Sequence, residues 1–204
     1  MDLRRHWNSI YTSRAPDGVS WYRPHLDRSL ELIDTTHLPH DAAILDVGCG
    51  ASTLAGDLLE RGYTDVTVLD VSEEALRVAR ARLGTRAEYV RWIRADVTDA
   101  ELPPRSVRLW HDRAVFHFLL DADTRTRYVA AVKKSVAPGG CVLIATFGPN
   151  GPETCSGLPV RRYDADALTA ELGTDFVRIA DSTEMHTTPT GSPQEFVYGL
   201  FRRT

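Results

Sequence analysis

Ala42-Ala43-Ile44-Leu45-Asp46-Val47-Gly48-Cys49-Gly50-Ala51-Ser52 is the stretch whose reading decides the fold. A short apolar run, Ala42 to Leu45, ends in Asp46 and turns through Gly48, Cys49 and Gly50. From Ser52 onward, Leu54, Ala55, Leu58 and Leu59 recur at helical spacing. The pattern is strand, glycine turn, helix. Glycine takes positive φ freely and lets a ligand approach the backbone closely. The first N–H groups of the new helix have no partner within it. Such a crevice at the carboxyl end of a strand suits a nucleotide-like cofactor. The dinucleotide fingerprint G-x-G-x-x-G is absent, because Thr53 stands where its third glycine would be. Asp46 places a carboxylate at the strand tip, which repels a pyrophosphate and welcomes an amino group.

Downstream, Val66 to Asp70 reads as a second strand ending in another acid, followed by Val71 and by Ser72 as the cap of a helix. Asp70 follows the glycine turn by about 20 residues, the spacing of a ribose-binding acid. A carboxylate only accepts, and can take both ribose hydroxyls; the other reading of Asp70 is a turn or capping acid. Tyr89 to Ile93 is the third strand, with Asp96-Val97 after it; Asp96 either meets a ligand or caps a short helix. Val107 to Trp110 is the fourth. It delivers His111, Asp112, Arg113 and His117 to the same crevice, and so many polar groups after a buried strand are costly unless satisfied or used. His111 is a candidate base or orienting group, and His117 reads as a packing residue. Thr124 to Val136 is a helix, Pro138-Gly139-Gly140 a turn and Cys141 to Phe147 the fifth strand.

Gly148 to Tyr163 then reads as a long irregular segment, a kind that is often functional. Following the fifth strand, it is expected to overhang the crevice, with Arg161, Arg162 and Tyr163 reading a polar or anionic acceptor. Cys155 in this segment is a nucleophile or soft-ligand site on one reading, a structural or substrate contact on the other. Asp164 to Leu172 is a helix. Phe176 to Asp181 and Gln194 to Arg202 close the sheet as a hairpin, with Met185 to Pro193, including His186, as its turn-rich connection.

Before the first strand, Trp7, Tyr11, Trp21 and Tyr22 crowd the amino-terminal stretch, and Trp7, Ile10 and Tyr11 fall at helical spacing. Pro24 to His37 predicts a helix. The aromatics either cap the core or form a lid that shields a cofactor and its acceptor from water. A cation sits well against an aromatic face.

The length of 204 residues predicts a single domain, with residues 1–40 as cover and 41–204 as core. A net charge of −4 gives no broad footprint for nucleic acid. No apolar run reaches the roughly 20 residues of a membrane span, and MDLRRHWNSIY lacks the apolar stretch of a secretory signal. Cys49, Cys141 and Cys155 cannot all pair within one chain and lack metal-ligand spacing, which predicts no metal and a reducing cytoplasm. Oligomeric state stays open.

Asp46-Val47-Gly48-Cys49-Gly50 resembles the first motif of class I S-adenosylmethionine-dependent methyltransferases, and Asp70, Asp96-Val97 and Pro138-Gly139-Gly140 fit the same pattern. The resemblance covers residues 42–204. It implies a Rossmann-like, doubly wound α/β sheet of seven strands, the seventh antiparallel. It implies S-adenosylmethionine held by Asp46, Gly48, Cys49, Gly50, Asp70, Val71, Asp96, Val97 and Arg113, with Trp7, Tyr11 and Trp21 covering it. Asp96 would accept from the adenine amine, and Val97 would offer its N–H to a ring nitrogen. Arg113 would pair with Asp112 or with the cofactor's carboxylate. The aromatic stretch is similar to the lid of thiopurine, halide and tellurite methyltransferases, and of lysine methyltransferases of translation factors and citrate synthase. Asp112-Arg113 resembles an Asp-Lys pair of some lysine methyltransferases. The catalytic candidates are accordingly Asp112, His111 and Tyr11, and the acceptor contacts Trp21, Tyr22, Cys155, Arg161, Arg162 and Tyr163. The expected reaction is methyl transfer to a small molecule; transfer to a protein lysine and a non-catalytic adenosine-binding module are the alternatives.

Overall fold

The computed structural model describes residues 2–204. Seven strands form one sheet in the order β3-β2-β1-β4-β5-β9-β8. They are β1 (Ile44–Val47), β2 (Val66–Asp70), β3 (Val90–Arg94), β4 (Val107–Arg113), β5 (Val136–Phe147), β8 (Phe176–Thr187) and β9 (Pro193–Arg203). Only β9 runs against its neighbours, pairing antiparallel with both β5 and β8. A separate hairpin, β6 (Thr154–Cys155) with β7 (Leu158–Pro159), sits within the segment expected to be irregular.

Strand alternation sends successive side chains to opposite faces. Ile44, Leu109, Cys141, Leu143 and Tyr198 join one buried cluster, with α2 (Asp27–Asp34), α3 (Leu54–Glu60) and α4 (Glu73–Leu83) packed on it. Leu45, Val47, Trp110, Val142 and Ile144 join the other, beneath α5 (Ala122–Ser135) and α6 (Ala165–Leu172). Both faces are thus covered, as a parallel sheet requires. Local chemistry starts the helices. Asp2 accepts from Arg5 N to cap α1 (Leu3–Ser13), and Ser72, Asp121 and Asp164 do the same for α4, α5 and α6. In α4, Glu73 and Glu74 begin the helix and Arg80 and Arg82 end it, matching its dipole. No described helix is long and apolar enough to cross a membrane.

Four boundaries differ from expectation. The helix predicted over Pro24–His37 is only Asp27–Asp34: the chain before it is tied to the sheet where the Ser20 and Trp21 carbonyls accept from His186 and Arg113, and His37 beyond it takes a left-handed φ of 51°. Pro138-Gly139-Gly140 is a bulge inside β5 rather than a turn before it, with the pairing shifting between Val107 and Leu109. Strand β8 runs on to Thr187, so His186 is a buried strand residue bonded to the Ser20 carbonyl, not part of a loop. Strand β4 continues three residues past Trp110 to Arg113, and this last difference reshapes the site.

Candidate active site

The carboxyl ends of β1 to β4 open into one cavity. Its floor is Asp46, Val47, Gly48, Cys49 and Ala51 after β1, then Asp70 and Val71, Asp96 and Val97, and His111 and Arg113. Its cover is Trp7 and Tyr11 from α1, with Trp21, Tyr22, Arg23 and Leu26 from the segment that follows. Cys155 also lines it.

The glycine turn is shaped by what lies on it. Gly48 and Gly50 have φ of 61° and 55°. A Cβ at Gly50 would lie 2.3 Å from the Tyr11 hydroxyl, and one at Gly48 would lie 1.9 Å from Val115. Trp21 stands edge-on to both Trp7 and Tyr11, with centroids 5.8 and 6.2 Å apart. Burial and the Asp70 charge push the Tyr11 hydroxyl well above its ordinary range, so it stays protonated. The cover is latched at α4: Ser72 Oγ donates to Asn8 Oδ1 at 2.8 Å and accepts from Ala75 N at 3.1 Å.

The three strand-tip acids differ in how they are held. Asp70 Oδ2 accepts from Gly50 N at 2.8 Å and its Oδ1 from Ser72 N at 2.7 Å. Burial raises its pKa to about 6, against the lowering effect of those N–H groups. Asp96 Oδ1 accepts from Thr98 N at 2.9 Å and from the Thr98 hydroxyl at 2.7 Å. Asp46 is buried, and its Oδ1 lies 2.7 Å from His111 Nδ1 while its Oδ2 is buried without a partner. The other His111 nitrogen, Nε2, is 2.9 Å from Ser29 Oγ. With the carboxylate as acceptor, the imidazole donates from Nδ1 to Asp46. Sequence reasoning missed Ser29, because nothing local to α2 marks it.

Several expected site residues lie elsewhere. Asp112 does not line the cavity. Because β4 extends through it, alternation turns Asp112 away from His111 to the opposite face. There it accepts from Val115 N at 2.9 Å, Phe116 N at 3.1 Å and the Tyr128 hydroxyl at 2.6 Å. Burial raises its pKa to about 6, with Tyr128 pulling it back. It neither pairs with Arg113 nor faces the reaction space. Arg161, Arg162 and Tyr163 are also off the cavity. Tyr163 N bonds the Phe147 carbonyl and its ring packs near Phe116; Arg161 pairs with Glu171 at 3.3 Å and Arg162 with Glu153 at 3.1 Å. The end of that segment descends to the α6 face instead of overhanging the crevice. Cys155 is buried with its thiol pushed up to about 11 by burial, so it is not a nucleophile at neutral pH.

His117 is a packing residue whose Nδ1 accepts from Phe147 N at 3.3 Å. Burial and the Arg113 charge push its pKa down to about 3. Between pH 6.5 and 3 the unfolded chain binds a proton that the folded chain refuses, so stability falls as pH drops through that window. Urea unfolding of wild type and His117→Gln at pH 7 and pH 5 tests this. The wild type is expected to lose more stability on acidification than the variant, and equal losses would place the proton elsewhere.

The chain matches the family model described as "Methyltransferase domain" over residues 44–140. It is 24% identical over 151 residues to the eEF1A lysine and N-terminal methyltransferase of Mus musculus, covering 69% of this chain and 21% of that protein. It is 36% identical over 104 residues to an uncharacterised methyltransferase of Mycobacterium tuberculosis, covering 51% of this chain and 50% of the other. The chain thus spans about a fifth of the first relative's length and half of the second's. A solved structure described under "Conversion of a Disulfide Bond into a Thioacetal Group during Echinomycin Biosynthesis" superposes with a TM-score of 0.79 at 20% identity, over 98% of this chain and 92% of that one. The sequence match begins at β1 and ends in the β5 bulge, so it takes in the glycine turn and all three acids. That match spans just under half of the chain, and with this strand order it gives the molecule the Rossmann-like fold of class I S-adenosylmethionine-dependent methyltransferases.

Proposed function

We propose that this chain transfers the methyl group of S-adenosylmethionine to a small-molecule acceptor. The observation that carries the reading is one cavity with a glycine turn and three acids as floor and a sheet of aromatic rings as cover. The residues present fit the cofactor. Asp46 Oδ2, buried without a partner, suits an ammonium group. Asp70 uses one lone pair of each oxygen on backbone N–H groups and keeps others for two ribose hydroxyls. Bound S-adenosylmethionine supplies an activated methyl, so what this chain must add is positioning and exclusion of water. Trp7, Tyr11 and Trp21 exclude water, and they face a cation favourably.

The acceptor reading follows from which groups are left over. Asp112 faces away and both His111 nitrogens are engaged. Neither serves as a free base, which favours an acceptor that is nucleophilic once ionised, such as a thiol or other soft atom, over a lysine ammonium that must first lose a proton. The similarity to the eEF1A methyltransferase across 69% of this chain supports protein lysine methylation as the second reading.

Isothermal titration with S-adenosylmethionine and with NAD is the first test, with saturable binding of the former alone expected. No binding of S-adenosylmethionine would remove both enzyme readings. Tritiated-methyl transfer into a lysate, split into protein and small-molecule fractions, then separates the acceptors. Label is expected in the small-molecule fraction, and label confined to protein would favour lysine. Asp70→Ala is expected to weaken cofactor binding by ~1–3 kcal/mol, as for lost hydrogen bonds to a charged group. An unchanged dissociation constant would mean that Asp70 only braces the turn.

A further inference from the structure

The charges lining the cavity are sorted by side. Asp46, Asp70 and Asp96 come from β1, β2 and the turn after β3, which lie together in one half of the sheet. The other half presents two guanidinium groups, Arg113 and Arg23. Arg113 leaves the end of β4 and reaches over β5 to β9. Its Nε donates to the Tyr198 hydroxyl at 3.1 Å, its Nη1 donates to the Trp21 carbonyl at 3.2 Å, and its guanidinium carbon lies 4.3 Å from the centre of the Phe196 ring. Arg23, in the cover, donates to Glu184 of β8, and the Tyr198 hydroxyl donates to the same carboxylate at 2.8 Å.

This network does not balance. Burial alone would raise the Glu184 carboxyl, but hydrogen bonds from Arg23 and Tyr198 and the charge of Arg113 hold it below its ordinary range, so it is ionised. His186, next to the network, is pushed down by burial and by both guanidinium groups and adds no positive charge at neutral pH. Two cations therefore face one anion. Two donors are also unspent: Arg113 Nη2 and Arg23 Nε are buried without an acceptor. Leaving such N–H groups unpaired is costly, more so on a charged group. Trp7, Trp21, Tyr22 and Phe118 line the same cavity with flat aromatic surface.

We infer that this half of the cavity takes an acceptor whose flat, apolar body carries an anionic group, of carboxylate type, held by Arg113 and Arg23. A guanidinium fork matches a carboxylate in charge and in geometry, and a planar body stacks where the aromatic walls leave room for it. The inference rests on the methyl-transfer reading and names the class of acceptor. The reach of Arg113 toward β9, away from the three acids, separates it from the side that fits the cofactor.

The test uses the full chain saturated with S-adenosylhomocysteine and two acid–amide pairs as probes: benzoate with benzamide, and indole-3-acetate with indole-3-acetamide. Dissociation constants are read by ligand-observed NMR. In at least one pair the acid is expected to bind about tenfold more tightly than its amide, a preference of about 1.4 kcal/mol. Arg113→Met is expected to abolish that preference. Arg23→Met, in the cover and not in the sheet, is expected to reduce the preference and keeps the question answerable should Arg113→Met fail to fold. The inference is overturned if no acid outbinds its amide. It is equally overturned if Arg113→Met weakens S-adenosylhomocysteine by tenfold or more without touching the acid preference, which would assign Arg113 to the cofactor. Failure of the methyl-transfer reading itself looks different: wild type would bind no S-adenosylhomocysteine, whatever the acids do.

Discussion

Asp46→Asn is expected to weaken S-adenosylmethionine binding by about 2–5 kcal/mol, the range for truncating one partner of a buried charge pair. That corresponds to a loss of roughly 30- to 5000-fold in affinity. The substitution is chosen to spare the fold. Asparagine keeps an oxygen where Oδ1 accepts from His111 Nδ1, so the chain from Ser29 through His111 survives. What changes is the second position, where an unpartnered carboxylate oxygen becomes an amide N–H₂. A donor then faces the ammonium group, and the balancing negative charge is gone. Calorimetry on wild type and variant measures the effect, and thermal unfolding checks that the scaffold is intact. If the two proteins bind within threefold of each other, Asp46 is only the partner that orients His111.

Tyr128→Phe is expected to cost about 2–4 kcal/mol of folding stability, although Tyr128 lies on the face away from the cavity. One hydroxyl there serves two buried groups: it accepts from Trp110 Nε1 at 2.9 Å and donates to Asp112 Oδ2 at 2.6 Å. Removing it strands a donor and weakens the support of a buried carboxylate, each at about 1–3 kcal/mol. The penalty should depend on pH in a defined sense. Burial lifts the folded Asp112 carboxyl from an ordinary 3.8 to about 6, so its contribution to stability declines as pH rises from 3.8 through 6. Without the Tyr128 hydrogen bond its folded pKa climbs further. The variant should therefore lose more, relative to wild type, at pH 8 than at pH 5. Urea unfolding at both values checks this, and a pH-independent loss under 1 kcal/mol would show that the carboxylate does not depend on the tyrosine.

The parts of this molecule that could be read in sequence are those whose cause is local. The glycine turn, the acids at the ends of β1 and β2, and the caps Ser72 and Asp164 each announce themselves within a few residues. So does the alternation that orders the strands. The misplacements share another cause. Ending β4 at Trp110 instead of Arg113 put His111 and Asp112 together in the crevice, whereas three more residues of pleat set them on opposite faces. Arg161, Arg162 and Tyr163 follow β5 in sequence, yet they come down beside α6, since Tyr163 fills an apolar site near Phe116. What sequence could not show is the network of Arg23, Glu184, Tyr198 and Arg113, whose first two members are 161 residues apart. No short-range spacing encodes such a meeting; it exists only because β8 and β9 are folded back next to β5.

Ser72 makes three contacts in three directions. Its N–H holds Asp70, its hydroxyl oxygen caps α4, and its hydroxyl proton fastens Asn8 of α1. On the proposed reading, in which Asp70 takes the adenosyl ribose, ligand binding and the seating of the amino-terminal helix meet at one residue and would form a single coupled equilibrium. Whatever factor a seated helix lends to ligand retention, ligand must return to the helix by thermodynamic reciprocity.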